Sequence, residues 1–178
     1  MCVIIVKPIG KLLPSYKIIK AAWQRNSDGG GFVTPTRYFR SLDFNEFYRE
    51  LIKVKKNEPC IIHLRWATHG SVKTDNCHPF YDYETGVAFA HNGVLSIRPQ
   101  GDMTDSETAF SNIIVPTIKM HGYQSKEVAD VCGRIIGASK FALMQDGKIR
   151  LFGHYQEMNG ILYSNLHFIS YYDYCFAS

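Results

Sequence analysis

Four apolar residues, Val3-Ile4-Ile5-Val6, follow Cys2 without a break and constrain this chain more than any other stretch. A run of this kind reads as a short buried strand, and a strand at the very start of a chain ties down an end that would otherwise fray. Whatever precedes the strand is therefore held in place, and what precedes it is a thiol. Removal of the initiator methionine would make Cys2 the first residue, with a nucleophile and a base on the same few atoms. A free α-amine titrates at about 7.7–8.0, so part of it can accept a proton near neutral pH. The thiolate is the reactive form of cysteine, and a neighbouring base is the usual means of making it available. Such a residue needs no separate catalytic histidine. The plainer alternative is a small buried apolar side chain.

The remaining pattern mixes strands and helices. Pro14-Ser15 opens a helix to about Gln24 with Ile18, Ile19, Ala22 and Trp23 on one side. The run Asn26-Ser27-Asp28-Gly29-Gly30-Gly31 is expected to be irregular, as glycine-rich runs serve turns and close backbone approach. Residues 32–39 read as a strand interrupted at Pro35, and 43–55 as an amphipathic helix through Phe44, Phe47, Leu51 and Val54. A buried strand at 60–64 leads into Arg65-Trp66-Ala67-Thr68-His69-Gly70, followed by a polar loop through Pro79. A strand at 87–90 ends in His91-Asn92-Gly93. Thr104-x-x-Glu107 is a capping box for a helix that reaches Pro116 and continues past it with a kink. A short helix is expected at 125–132, a hairpin across Gln145-Asp146-Gly147, and strands at 161–163 and 167–171. The sum is one layered α+β domain over residues 1–178, without repeat or linker.

Composition narrows the function. With 46% hydrophobic and 20% charged residues the chain is an ordinary globular one, and no apolar stretch has the length of a membrane span. A net charge of +4 falls short of a nucleic-acid footprint, so neither membrane nor nucleic acid is expected as a partner. The five cysteines, Cys2, Cys60, Cys77, Cys132 and Cys175, form no Cys-x-x-Cys pair, and no signal peptide precedes them, which points to a reducing cytoplasm.

The loops hold what a thiol would need to attack the side-chain amide of a free amino acid. Arg65, at the end of a buried strand, can take an α-carboxylate in bidentate fashion. Asp105, at the mouth of a helix, offers a carboxylate to an α-ammonium group. Asn92-Gly93 offers a side-chain amide beside a backbone N–H that no Cβ obstructs, a pair suited to an oxyanion. Singly, each has a duller reading: a surface ion pair, a helix cap, a hairpin turn.

Together these pieces resemble the glutaminase domain of class II (N-terminal nucleophile) glutamine amidotransferases. The matching segments, in order, are Met1-Cys2; Asn26-x-Asp28-Gly29-x-Gly31; His63-x-Arg65-Trp66-Ala67-Thr68-His69-Gly70; Cys77-His78-Pro79-Phe80; His91-Asn92-Gly93; and Asp105-Ser106-Glu107. Tyr163-Ser164-Asn165 is a weaker match to a Ser-Asn turn near the end of some family domains. The resemblance implies a four-layer αββα sandwich, with two β-sheets face to face between helices. It implies Cys2 as nucleophile with its own freed α-amine as base, and Asn92 with the Gly93 N–H as oxyanion hole. It further implies that Arg65 binds the glutamine carboxylate and Asp105 its ammonium group. Thr68 and His69 would belong to a loop closing over glutamine, with Trp66 and His78 in support. Reaction would run through a γ-glutamyl thioester, releasing ammonia and then glutamate, with no cofactor or metal. Most members carry a second domain that uses the ammonia, and this chain is too short for one, so either a separate acceptor or synthase protein is its partner or the activity is plain amide hydrolysis.

Three rival readings stand beside this one. Cys77, His78, His63, His69 and His91 offer the donors of a metal cage, although their spacing fits no zinc pattern. The aromatic end, with Tyr155, Tyr163, Phe168, Tyr171, Tyr172, Tyr174 and Phe176, suits either sheet packing or a non-catalytic binding module. An N-terminal nucleophile hydrolase acting on another small amide would keep the fold and change the substrate.

Overall fold

The computed structural model describes residues 2–66, 73–101 and 103–169. The expected strand is β1 (Val3–Lys7), and every residue in it is buried. It is central to a six-stranded antiparallel sheet ordered β3-β2-β4-β1-β10-β9, with β2 (Gly30–Val33), β3 (Tyr38–Ser41), β4 (Cys60–Leu64), β9 (Gln156–Met158) and β10 (Ile161–Tyr163). A second antiparallel sheet is ordered β5-β6-β7-β8, with β5 (Phe80–Asp82), β6 (Val87–Asn92), β7 (Lys140–Gln145) and β8 (Lys148–Phe152).

Side chains alternate across a strand, so β1 serves two layers at once. Val3 and Ile5 join a core with Ile19, Ala22 and Trp23 of α1 (Tyr16–Arg25) and Phe44, Phe47 and Leu51 of α2 (Phe44–Leu51). Ile4 and Val6 face the other way and meet Ala88, Ala90, Ala142 and Met144 of the second sheet. The far side of that sheet, through Val87, Phe89, Phe141 and Leu143, packs on the remaining helices. These are α3 (Asp105–Ala109), α4 (Val115–His121) and α5 (Lys126–Ile135). Helix, sheet, sheet, helix is the expected four-layer order.

Local chemistry accounts for most boundaries. Ser15, Asp43, Thr104 and Ser125 each accept a backbone N–H of the first turn and so cap α1, α2, α3 and α5. The helix begun by Thr104 does continue past Pro116. A π turn at Phe110–Ile114 precedes the proline, and the Val115 N–H donates to Phe110 O. The widened turn takes up the donor and the space that a proline denies an ordinary helix.

Several expectations need correction. The glycine run is not wholly irregular, because Gly30 and Gly31 pair with β4 as the first residues of β2. Those positions lack room for side chains: a Cβ on Gly31 would lie 2.6 Å from the backbone oxygen of His78. The interrupted strand at 32–39 is the hairpin of β2 and β3, and α2 ends at Leu51, short of Lys55. Residues 167–169 form turns and a bend, not the expected strand, and 170–171 lie outside the described residues. The strand β9 was not anticipated. It pairs with β10 across Asn159-Gly160, both at positive φ (56° and 76°), the signature of a tight hairpin. Of the aromatic end, Tyr163 is buried and Tyr155 and Phe168 pack against the cores, while Tyr171, Tyr172, Tyr174 and Phe176 lie outside the described residues.

Candidate active site

The pairing of β1 with β4 brings the site together. Val3 lies opposite Leu64 and Ile4 opposite His63, so one step further along each chain Cys2 comes beside Arg65 and Trp66. The Trp66 N–H donates to the Cys2 sulfur at 3.3 Å, and the sulfur lies 3.5 Å from the Trp66 carbonyl oxygen. The thiol is half-buried, neither sealed in the core nor fully in solvent. Burial pushes its pKa up, against the Trp66 N–H and the nearby Arg65 charge, which both pull it down. The resting sulfur is therefore a protonated thiol near neutral pH and needs a base at the moment of attack.

Arg65 is buried, and its backbone extends the sheet past β4. Its N–H donates to Gly29 O (2.8 Å), and the Asp28 N–H donates to its carbonyl (3.0 Å). On the second sheet Asn92 ends β6 on the same side as Ala88 and Ala90, facing β1 across the inter-sheet layer. Its Nδ2 donates to Ser164 Oγ at 2.8 Å, while its Oδ1 is buried without a partner among the described residues. Gly93 follows at φ 142°, with its backbone exposed. Asp105 is half-buried at the start of α3. Its Oδ2 accepts the Leu95 N–H (2.8 Å) and its Oδ1 the Ser106 N–H (2.7 Å), so the carboxylate is locked to the loop that follows Gly93.

Beneath these groups lie three buried histidines. Ser106 Oγ donates to Asp105 Oδ1 (3.1 Å), so it accepts from His91 Nδ1 at 2.6 Å. His63 Nε2 donates to the carbonyl oxygen of His91 at 3.0 Å. His78 packs edge-on against His63 (4.5 Å) and Phe80 (4.4 Å). Burial lowers all three pKa values, His63 to about 3, His91 to about 4 and His78 well below the ordinary value, so the rings are neutral. Among the described residues no group of three or more His, Cys, Asp or Glu side chains is arranged to hold a metal ion.

The predicted residues thus fall into three sets. Cys2, Arg65, Asn92, Gly93 and Asp105 gather at one end of the two sheets. Trp66 touches the sulfur through its backbone and is 46% exposed as a residue, whereas His78 is buried beneath the site. Thr68 and His69 lie outside the described residues. Sequence reasoning notes Tyr163-Ser164-Asn165 only as a weak match and gives Ser164 and Asn165 no role in the site, although Asn159-Gly160 signals the hairpin that delivers them.

Comparison with known proteins decides the family. A model of the class II glutamine amidotransferases matches residues 45–156, more than half of the chain. The chain belongs to the class II glutamine amidotransferases. Similar proteins include the isomerizing glutamine–fructose-6-phosphate aminotransferase of Methanococcus maripaludis, 50% identical over 34 residues (19% of this chain, 6% of the relative). The enzyme of the same name from Aeropyrum pernix is 30% identical over 97 residues (48% of this chain, 16% of the relative). Among solved structures, glutamine phosphoribosylpyrophosphate amidotransferase from B. subtilis has a similar fold, with a TM-score of 0.59 at 17% identity. That likeness covers 92% of this chain and 42% of the B. subtilis chain. A structure titled as the allosteric regulatory enzyme of purine biosynthesis gives 0.60 at 16% identity, covering 92% and 41%. The chain therefore spans a small part of the curated relatives it matches and under half of these structures. As an amidotransferase domain it is an enzyme of a known class, and among its described residues no helix is long and apolar enough to cross a membrane.

Proposed function

We propose that this amidotransferase domain hydrolyses the side-chain amide of glutamine through a γ-glutamyl thioester on Cys2, and that the ammonia passes to an acceptor held by a separate protein. With Met1 removed, the α-amine of Cys2 takes the thiol proton as sulfur bonds to the amide carbon. Asn92 Nδ2 and the Gly93 N–H receive the oxyanion. The C–N bond then breaks, and the amine's proton leaves with ammonia. Water attacks the thioester, the same amine takes its proton, and the thiol departs from glutamate. Arg65 holds the substrate carboxylate and Asp105 its ammonium group, while Trp66, Thr68, His69 and His78 shape and support the pocket.

The observation that carries this reading is the meeting of a half-exposed sulfur, a buried guanidinium whose charge acts on it, and an amide from the opposite sheet. A buried cation and a locked carboxylate fit the two charged ends of a free amino acid. The test is glutamate release from glutamine by protein whose intact mass confirms loss of Met1. Cys2→Ala should abolish release, and protein retaining Met1 should be inactive. Asparagine should be a far poorer substrate, since its shorter side chain cannot reach the sulfur from the same anchors. Equal turnover of asparagine, or full activity of Cys2→Ala, contradicts the assignment.

A further inference from the structure

Ser164 follows directly on β10 and is buried. Its N–H donates to Ile4 O at 2.9 Å, and its Oγ accepts the Ile4 N–H at 2.8 Å. The same Oγ accepts Asn92 Nδ2 at 2.8 Å. The next residue, Asn165, donates its Nδ2 to Cys2 O at 2.8 Å. One turn therefore grips the backbone on either side of Val3 and reaches across to the second sheet for the Asn92 amide. A primary amide has two N–H groups. With one given to Ser164, the other points away at a fixed angle, and the buried Oδ1 has no partner among the described residues. The amide is held by its nitrogen, at a set position relative to the strand that bears the nucleophile.

We infer that Ser164 is a positioning residue for glutamine hydrolysis: its hydroxyl aims the free N–H of Asn92 at the oxyanion and fixes the spacing between that donor and Cys2. The inference rests on the glutaminase reading above. A donor that must meet charge developing in the transition state works through prior orientation, so a loosened Asn92 slows the chemical step. Recognition of the substrate's charged ends by Arg65 and Asp105 does not involve the hydroxyl.

Ser164→Ala should lower kcat for glutamine about tenfold, the size of one hydrogen bond, with KM within twofold of wild type. In an Asn92→Ala background the same substitution should lower kcat by less than twofold, because the group it orients is gone. The rate at which iodoacetamide alkylates Cys2, followed by mass spectrometry of the N-terminal peptide, should change less than twofold, since alkylation uses no oxyanion. Ser164→Cys, close in volume but a poorer acceptor, carries the same comparison if the alanine variant does not fold. Wild-type kcat in a folded Ser164 variant overturns the inference, as does an equal loss with and without Asn92. A fall in alkylation that matches the fall in kcat also overturns it, since the hydroxyl would then act through the nucleophile's strand. A wild-type enzyme that releases no glutamate sinks the glutaminase reading itself, and normal release by Ser164→Ala sinks only the role of Ser164.

Discussion

Gly93→Ala tests the oxyanion site through space alone. The residue has φ 142°, in the half of conformational space that glycine tolerates and alanine avoids, which costs about 1–3 kcal/mol. A Cβ there would lie 2.2 Å from Ser139 Oγ, 2.7 Å from Ser139 Cβ and 2.9 Å from Ser139 Cα. The hydroxyl can rotate, but the Cα belongs to backbone beside β7 and cannot yield, so the 92–95 loop must move. That displaces the Gly93 N–H and strains the bond from Ser139 Oγ to Val94 O (3.1 Å). Loss of one oxyanion donor costs about 2.7–4 kcal/mol of transition-state stabilisation, or roughly a hundredfold to a thousandfold in kcat. KM should rise as well but by less than kcat falls, because Asp105 is held by the Leu95 N–H of the loop that moves, while Arg65 follows β4 of the other sheet. Steady-state glutamate release gives both constants, and a thermal melt checks that the protein remains folded. Adding Ser139→Gly removes the two shorter contacts but not the third or the positive φ, so it should restore only about tenfold. A folded Gly93→Ala enzyme with kcat within threefold of wild type would refute the placement of the oxyanion at this turn.

Three further outcomes follow from the geometry. Arg65→Ala should raise KM for glutamine about tenfold to a hundredfold, the scale of hydrogen bonds to a charged group, and an unchanged KM contradicts its role. Ile61→Ala, fully buried between the sheets, should cost about 2–5 kcal/mol in a urea melt, and a cost below 1 kcal/mol would mean the sheets close over the gap. His63 and His91 titrate at about 3 and about 4 when folded, against 6.5 when free, with burial the main cause. Between those values the unfolded chain binds more protons, so their contribution is full above pH 6.5 and lost as pH falls towards 4. At pH 5 the loss is at most about 2 kcal/mol for each ring, and a Tm that is level from pH 7 down to pH 4.5 would exclude neutral burial.

Much of this was legible because the informative residues are punctuation or strict alternation. Ser15, Thr104 and Ser125 mark helix starts, and Asp146-Gly147 marks the hairpin of β7 and β8. Cys2, Arg65, Asn92 and Asp105 were readable as chemistry because each interrupts an apolar run or opens a helix with a group that burial would otherwise penalise. The parts not legible depend on distant chain. Gly30 and Gly31 look like loop residues because nothing local requires a strand there. Their pairing is imposed by β4, and the bareness of Gly31 by the backbone of His78. The three-residue strand β5 is held by β6 and has no pattern of its own to announce it. Ser164 stands out only as part of a weak Ser-Asn match, and its contact with Asn92 exists only once β10 pairs with β1 and carries it there.

The site depends on which way β1 faces, and apolar burial does not decide that. Val3, Ile4 and Ile5 are all 0% exposed, so a shift of one residue would exchange one set of aliphatic side chains for another. The same shift would turn Cys2 from the inter-sheet face to the helix face, away from Asn92. Polar contacts at the two ends of the strand remove the ambiguity. At one end the buried Lys7 ammonium donates to the carbonyls of Lys56 (3.1 Å) and Glu58, acceptors that a slipped lysine could not reach together. At the other, Ser164 pairs with both backbone groups of Ile4 and Asn165 with the carbonyl of Cys2. Leaving such groups buried and unpaired costs about 1–3 kcal/mol each, a larger penalty than a swap of valine for isoleucine in either layer. The register that puts a thiol opposite an amide is thus chosen by a lysine and a Ser-Asn turn at its two ends, while the apolar run between them supplies burial without direction.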